Sequence, residues 1–134
     1  MSATTMGIDH IGLTVANLEA SQRFFTECLG WRIFGSNPAY PAAYVTDGVS
    51  KITLWQVADV GAFTAFDRKN IVGLHHLALK VPDRSALDSI FARIRSHPGV
   101  QVEFPPELSG SGPKWHAMVV EPGGTRLELS FDPR

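Results

Sequence analysis

Two histidines and one carboxylate stand where this chain could do chemistry. His10 lies in the run Ile8 to Val15, IDHIGLTV, and His76 in the run Gly73 to Val81, GLHHLALKV, 66 residues further on. Glu128 lies in Arg126-Leu127-Glu128-Leu129-Ser130-Phe131. Two neutral imidazoles and a carboxylate suit a divalent transition metal, and such a set leaves coordination positions open for substrate, water or O₂. A Lewis acid must meet a substrate oxygen directly, so the open positions are what the chemistry requires. Plainer readings stand beside this one. A strand histidine is often an ordinary hydrogen-bonded residue, duplication copies a structural histidine as readily as a ligand, and Glu128 also reads as a solvated strand carboxylate.

The elements that must position these residues come from an internal repeat. At the 66-residue offset His10 falls on His76, Ile11 on Leu77, Leu13 on Leu79 and Val15 on Val81. Asn17 falls on Asp83, Phe25 on Phe91 and Cys28 on Ile94. Class and spacing persist through a strand and the helix after it, which is the mark of a duplicated unit. Asn17 and Asp83 are N-cap residues, because a short side-chain oxygen can accept from a free first-turn amide. Leu87, Ile90, Phe91 and Ile94 form an apolar stripe at helical spacing, as do Phe24, Phe25 and Cys28. Gly30 and Gly99 end the helices in the left-handed conformation that glycine adopts without strain. Three short strands follow in each unit: 32–34, 42–46 and 51–57, then 100–104, 114–120 and 126–131. Asp47-Gly48 and Pro122-Gly123-Gly124 are the turns. Each half is therefore βαβββ, and the fold class is α+β. Module one spans about 7–57, a linker 58–72 (with or without a short helix), and module two about 73–131, all within one domain over 1–134.

Strand alternation then assigns faces. Ile11, Leu13 and Val15, like Leu77, Leu79 and Val81, belong under the helices. His10 and His76 project to the opposite face. In the last strand Leu127, Leu129 and Phe131 take the core side, which leaves Glu128 with Arg126 and Ser130 on the other. His75 has the wrong parity and falls with the core set or at the strand's edge, so His76 is the ligand candidate of the pair.

Charge and composition exclude several partners. A net charge of −1 and a pI near 6.5 leave no basic footprint for nucleic acid. The apolar runs are too short to span a bilayer. With a single cysteine, Cys28, no internal disulfide can form, and the opening residues lack a signal-like pattern; the expected location is the cytoplasm. Cys28, on the helix's apolar stripe, reads as core.

With DHIGLTV, HHLALKV and EPGGTRLELSF in place, the doubled βαβββ pattern resembles the vicinal oxygen chelate superfamily. This is the glyoxalase, bleomycin-resistance protein and extradiol dioxygenase group. The resemblance covers the chain from about Met6 to Phe131. It implies two modules forming a cupped mixed sheet around a metal, with ligand positions at His10, Thr53, His76 and Glu128. Thr53 stands where glyoxalase I carries a glutamate, and a neutral hydroxyl is a poor ligand. The implied triad of His10, His76 and Glu128 is thus closer to that of extradiol dioxygenases than to glyoxalase I. Met118 stands where the extradiol signature has a tyrosine, and Gly12 where fosfomycin-resistance enzymes have a threonine. Fe²⁺ or Mn²⁺ suits such a triad best, with Zn²⁺ or Ni²⁺ also admitted.

The resemblance also implies that His116 faces the metal cup. It shares parity with Met118 and would serve as acid/base catalyst, or else be a hydrogen-bonded strand histidine. Thr53, Trp55 and Met118 would line the substrate space, with Tyr40 and Tyr44 adding to an aromatic wall. Leu108 to Lys114 reads either as a lid or as an ordinary loop. Single-domain relatives commonly pair module one of one chain with module two of another, so a homodimer with shared metal sites is expected. The implied function is that of a metal-dependent dioxygenase or lyase acting on a small oxygen-chelating molecule. The alternative is a metal-free protein of the bleomycin-resistance type that sequesters a small molecule.

Overall fold

The computed structural model describes residues 1–134. Eight strands and two helices run in the order β1 (Ile11–Val15), α1 (Leu18–Arg23), β2 (Arg32–Asn37), β3 (Ala42–Thr46), β4 (Lys51–Gln56), β5 (Leu77–Lys80), α2 (Arg84–Ser96), β6 (Gln101–Leu108), β7 (Trp115–Val120) and β8 (Arg126–Phe131). They form two four-stranded sheets of identical topology, β1-β4-β3-β2 and β5-β8-β7-β6. In each, the first strand pairs in parallel with the last and the remaining pairs are antiparallel. The architecture is the doubled βαβββ α+β fold. Within one chain the two sheets are separate, and β1 and β5 are both edge strands.

Local chemistry sets the helix limits. Asn17 Oδ1 accepts from Ala20 N at 3.0 Å, and Asp83 Oδ1 accepts from Ala86 N at 2.7 Å. Gly30 and Gly99 adopt φ of +75° and +86°, where a β-carbon would be strained. The first helix departs from simple periodicity. After α1 it widens into a π-helical segment, Phe24–Cys28, closed by Leu29 N donating to Phe24 O at 3.1 Å. Adjacent Phe24 and Phe25 are both fully buried there, edge to face at 5.7 Å.

One core serves both modules. Leu13, Val15, Ile52 and Leu54 of module one join Leu87, Ile94, Leu127 and Leu129 of module two in one buried cluster, together with Cys28. Each such side chain contributes about 1.5–3 kcal/mol by leaving water. The modules are also clipped by a buried carboxylate. Glu121 accepts from Ser21 Oγ at 2.8 Å across the junction and from the backbone amides of Gly123 and Thr125 at 2.8 and 3.0 Å.

One expectation is corrected and two open alternatives are resolved. β2 and β6 run further than expected, through Gly35-Ser36-Asn37 and through Pro105-Pro106. Both are edge strands with bulges, and an edge tolerates residues that lack a donor or favour turns. The linker contains turns rather than a helix, one of them closed by Asn70 N and Ile71 N donating to Asp67 O. His75 lies outside the core. β5 begins at Leu77, so strand alternation does not govern His75, which is exposed. No helix is long and apolar enough to cross a membrane.

Candidate functional site

β8 projects Arg126, Glu128 and Ser130 from the face opposite the core, and all three are buried. Glu128 is the centre of a cluster, its side chain only 8% exposed. His76 reaches it from the residue just before β5, with Nε2 3.1 Å from Oε2. His116 on β7 sets Nδ1 3.1 Å from Oε1 and packs its ring against Phe104, with centroids 4.8 Å apart. Lys114, at the end of the loop before β7, brings Nζ to 3.5 Å from the same oxygen. That loop is tied by Ser109 N donating to Lys114 O and Gly112 N donating to Ser109 O. Met118 lies directly across from Glu128 on β7 and is buried.

A second layer of charge stands behind this cluster. Arg126 makes two hydrogen bonds to Glu103 on β6, Nε to Oε1 at 2.9 Å and Nη2 to Oε2 at 2.6 Å. Arg68 of the linker approaches the same carboxylate at 3.6 Å. The hydrogen bond from Arg126 holds Glu103 below the usual carboxylate range, and Glu103 in turn raises Arg126. Arg126 Nη1 also lies 3.2 Å from His75 Nδ1, which is 2.8 Å from His76 Nδ1. Partial loss of water around its ring, then the Arg126 charge, lowers the His75 pKa from its ordinary value.

Module one presents a different surface. His10, the residue before β1, is 59% exposed and pairs with Asp9, Nδ1 to Oδ2 at 2.7 Å. Thr53 is half-buried on β4 between Gly12 and Tyr44. Trp55 lies two residues on, its ring meeting Tyr40 edge to face at 4.6 Å. A β-carbon on Gly12 would come within 3.3 Å of Trp55 Nε1, so the glycine gives the indole its seat over β1.

The chain thus brings together His76, Glu128, His116 and Met118, and sets Thr53 and Trp55 on the other module's face. His10 does not join the cluster, and no three His, Cys, Asp or Glu side chains within one chain are arranged to hold a metal ion. In donor type His76 and Glu128 fit a divalent transition metal, since an imidazole nitrogen and a carboxylate oxygen stand side by side. Lys114 and Arg126 are the functional candidates that motif reasoning passed over. Parity held the signal: Lys114 alternates with His116 and Met118, and Arg126 with Glu128.

The family model of the Glyoxalase/Bleomycin resistance protein/Dioxygenase superfamily matches residues 7–129. A search of curated protein sequences gives no match. Among solved structures, a glyoxylase/bleomycin resistance protein/dioxygenase domain from Frankia sp. EAN1pec is 26% identical, with 98% of this chain and 95% of that chain covered and a TM-score of 0.80. A glyoxalase-related enzyme from Fulvimarina pelagi is 26% identical over 96% of this chain and 90% of that chain, with a TM-score of 0.76. Lactoylglutathione lyase from Agrobacterium tumefaciens shares the fold at 16% identity, with 96% of each chain covered and a TM-score of 0.70.

Proposed function

The chain belongs to the Glyoxalase/Bleomycin resistance protein/Dioxygenase superfamily, and from that premise we propose that it is a divalent-metal-dependent enzyme for a small oxygen-chelating substrate, its site completed across a homodimer. One observation carries the reading. His76 and Glu128 stand 3.1 Å apart on module two, while the repeat counterpart of His76, His10, waits on module one. Both histidines sit at the head of an edge strand whose outer side is unpaired. Met6, Ile8, Val72 and Leu74 flank these edges as exposed apolar side chains. A two-fold dimer that sets β1 of one chain beside β5 of the other covers both margins. It also brings His10 of the partner subunit to His76 and Glu128, twice per dimer.

When bound, a divalent metal would supply Lewis acidity to the substrate oxygens. His10, His76 and Glu128 would hold it, with Fe²⁺ or Mn²⁺ preferred and Zn²⁺ or Ni²⁺ admitted. Thr53, at the fourth position, is neutral and lines the cup. His116, seated between Phe104 and Glu128, accepts or returns a substrate proton at its imidazole. The Lys114 ammonium, beside the same carboxylate, steadies negative charge that develops on substrate oxygen. Trp55, Tyr40 and Tyr44 form the facing wall, and Met118 forms the floor.

Lys114 also favours a second reading. Its ammonium already offsets the Glu128 charge without a metal, as a metal-free sequestering protein of the bleomycin-resistance type would require. Metal analysis of protein purified without chelators separates the two: stoichiometric metal supports the enzyme, and none supports sequestration. The shared site is tested by mixing His10→Ala with Glu128→Ala protein. Subunit exchange should restore one metal site per heterodimer, and a mixture that stays at the baseline of its parents overturns the shared site.

A further inference from the structure

Lys114 is a cation whose counterion a bound metal would claim. Its Nζ lies 3.5 Å from Glu128 Oε1, and its side chain is 33% exposed. The neighbouring cation, Arg126, is fastened to Glu103 by two hydrogen bonds and does not depend on Glu128. The other carboxylate whose charge Lys114 meets is Asp132. Asp132 is already taken by Arg134, which donates from Nε at 2.9 Å and from Nη2 at 2.8 Å. When Glu128 gives its oxygens to a divalent metal, Lys114 is left beside a second cation without a close partner. An ammonium partly withdrawn from water needs an anion there, because an unpaired charge is costly to hold.

The sheet around Lys114 is furnished for that anion. Ser130, on the Glu128 face of β8, stands opposite His116 on one side and Lys80 on the other. Lys80 follows His76 and Ala78 in strand alternation and is exposed. A hydroxyl and two ammonium groups, all able to donate, thus belong to one end of the cup. The carboxylate in the same row is Glu107, exposed on β6 beyond His116. Ser130 is two residues past Glu128, roughly 7 Å along the strand, the reach of a short aliphatic chain. We propose that Lys114, with Ser130 and Lys80, takes a carboxylate carried by the substrate at that distance from its chelating oxygens, and that Glu128 holds Lys114 back until a metal occupies the site. The substrate class is then an oxygen chelator with a second, acidic end. This deepens the proposed metal-dependent reading and rests on it.

Two probes with the same 2-oxo acid head test the anchor. 2-Oxoglutarate ends in a carboxylate, and 2-oxopentanoate ends in a methyl group. Titration calorimetry on Zn²⁺-loaded wild type should show 2-oxoglutarate bound about tenfold tighter, the low end for a charged hydrogen bond at a partly exposed site. Lys114→Gln should abolish that preference while 2-oxopentanoate binds as before, and Lys114→Arg should restore it. Loss of packing would weaken both probes alike. A second arm needs no metal. Glutarate should shift the Trp115 and Ser130 amide resonances of metal-free Glu128→Gln, in which Lys114 has lost its counterion, and leave those of metal-free wild type in place. A preference that survives Lys114→Gln, or no preference in wild type, overturns the anchor. Equal glutarate binding by metal-free wild type and Glu128→Gln overturns the restraint by Glu128. Wild type that takes up no Zn²⁺ overturns the metal-dependent reading, and the metal-free arm then decides the anchor: glutarate bound by Glu128→Gln but not by Glu128→Gln/Lys114→Gln upholds it, and any other result overturns it.

Discussion

In module one, Thr53 sits between Gly12 and Tyr44; in module two, Glu128 sits between Ala78 and Met118. Two residues along, Trp55 lies between Thr14 and Ala42, and Ser130 between Lys80 and His116. The registers match pair for pair, so the two faces differ only in side chains. Module one carries an aromatic, largely open wall, seated on small residues. Module two carries a charged cluster in which Arg126, Glu128 and Ser130 are buried. The frame tolerates this divergence because its stability comes from the opposite faces. Leu13, Val15, Ile52 and Leu54 and their counterparts Leu127 and Leu129 lie in the shared core, out of contact with the cup chemistry. A duplicated sheet can therefore assign grip to one copy and reaction to the other without unfolding either.

The sharpest way to break that division is to exchange its expected kinetic signatures. His116→Gln should lower kcat by about 10²–10⁴-fold while substrate still binds, since general acid/base assistance is worth that much. Trp55→Ala should instead raise KM and leave kcat near wild type, the pattern of lost uniform binding. Steady-state kinetics on a turned-over substrate checks both. If Trp55→Ala loses kcat as His116→Gln does, the modules do not divide the work.

A smaller effect tests what the modules share. Gly123 lies at the junction, where a β-carbon would run into Ser21 Oγ and come within 2.9 Å of Val15 Cβ. Gly123→Ala should cost about 1–3 kcal/mol by overpacking. Urea unfolding should still show one transition, because one core spans both modules. Two separated transitions would mean that the modules are stable units in their own right.

The smallest effect concerns charge confined to module two. Arg126 holds Glu103 below its unfolded value of 4.5, so the pair adds stability above that pH and loses it as pH falls through the depressed folded value. Glu103→Gln should flatten the acid side of the stability curve in that window, as read by urea unfolding at successive pH values. The position matching Arg126 in module one is Lys51, whose charge lowers Asp9 and not Glu103, so Lys51→Gln should leave the Glu103 contribution to that slope in place. An acid limb equally steep in Glu103→Gln would remove Glu103 as its source.

What the sequence by itself determined is whatever a contiguous stretch can encode. The repeat of His10 and His76, the alternation of Leu127, Glu128 and Leu129, and the caps at Asn17 and Asp83 depend on neighbours within one or two turns. The two modules, the strand faces and the place of Glu128 were therefore legible before any coordinates. Edge strands were less so, because Gly35 and Pro105 read locally as breaks and survive only where one side of the ladder is free. Tertiary structure alone decided which candidates meet. Glu128 gathers His76 from the approach to β5, His116 from β7 and Lys114 from the loop before it, while His10, with an equal claim by spacing, stays on the other module. It also decided that Glu121 clips α1 to the β7–β8 turn, and that His75 turns toward Arg126 rather than the core. Such meetings follow from strand register and from how two sheets settle on one shared core, and the energy that sets both comes from buried side chains far apart along the chain.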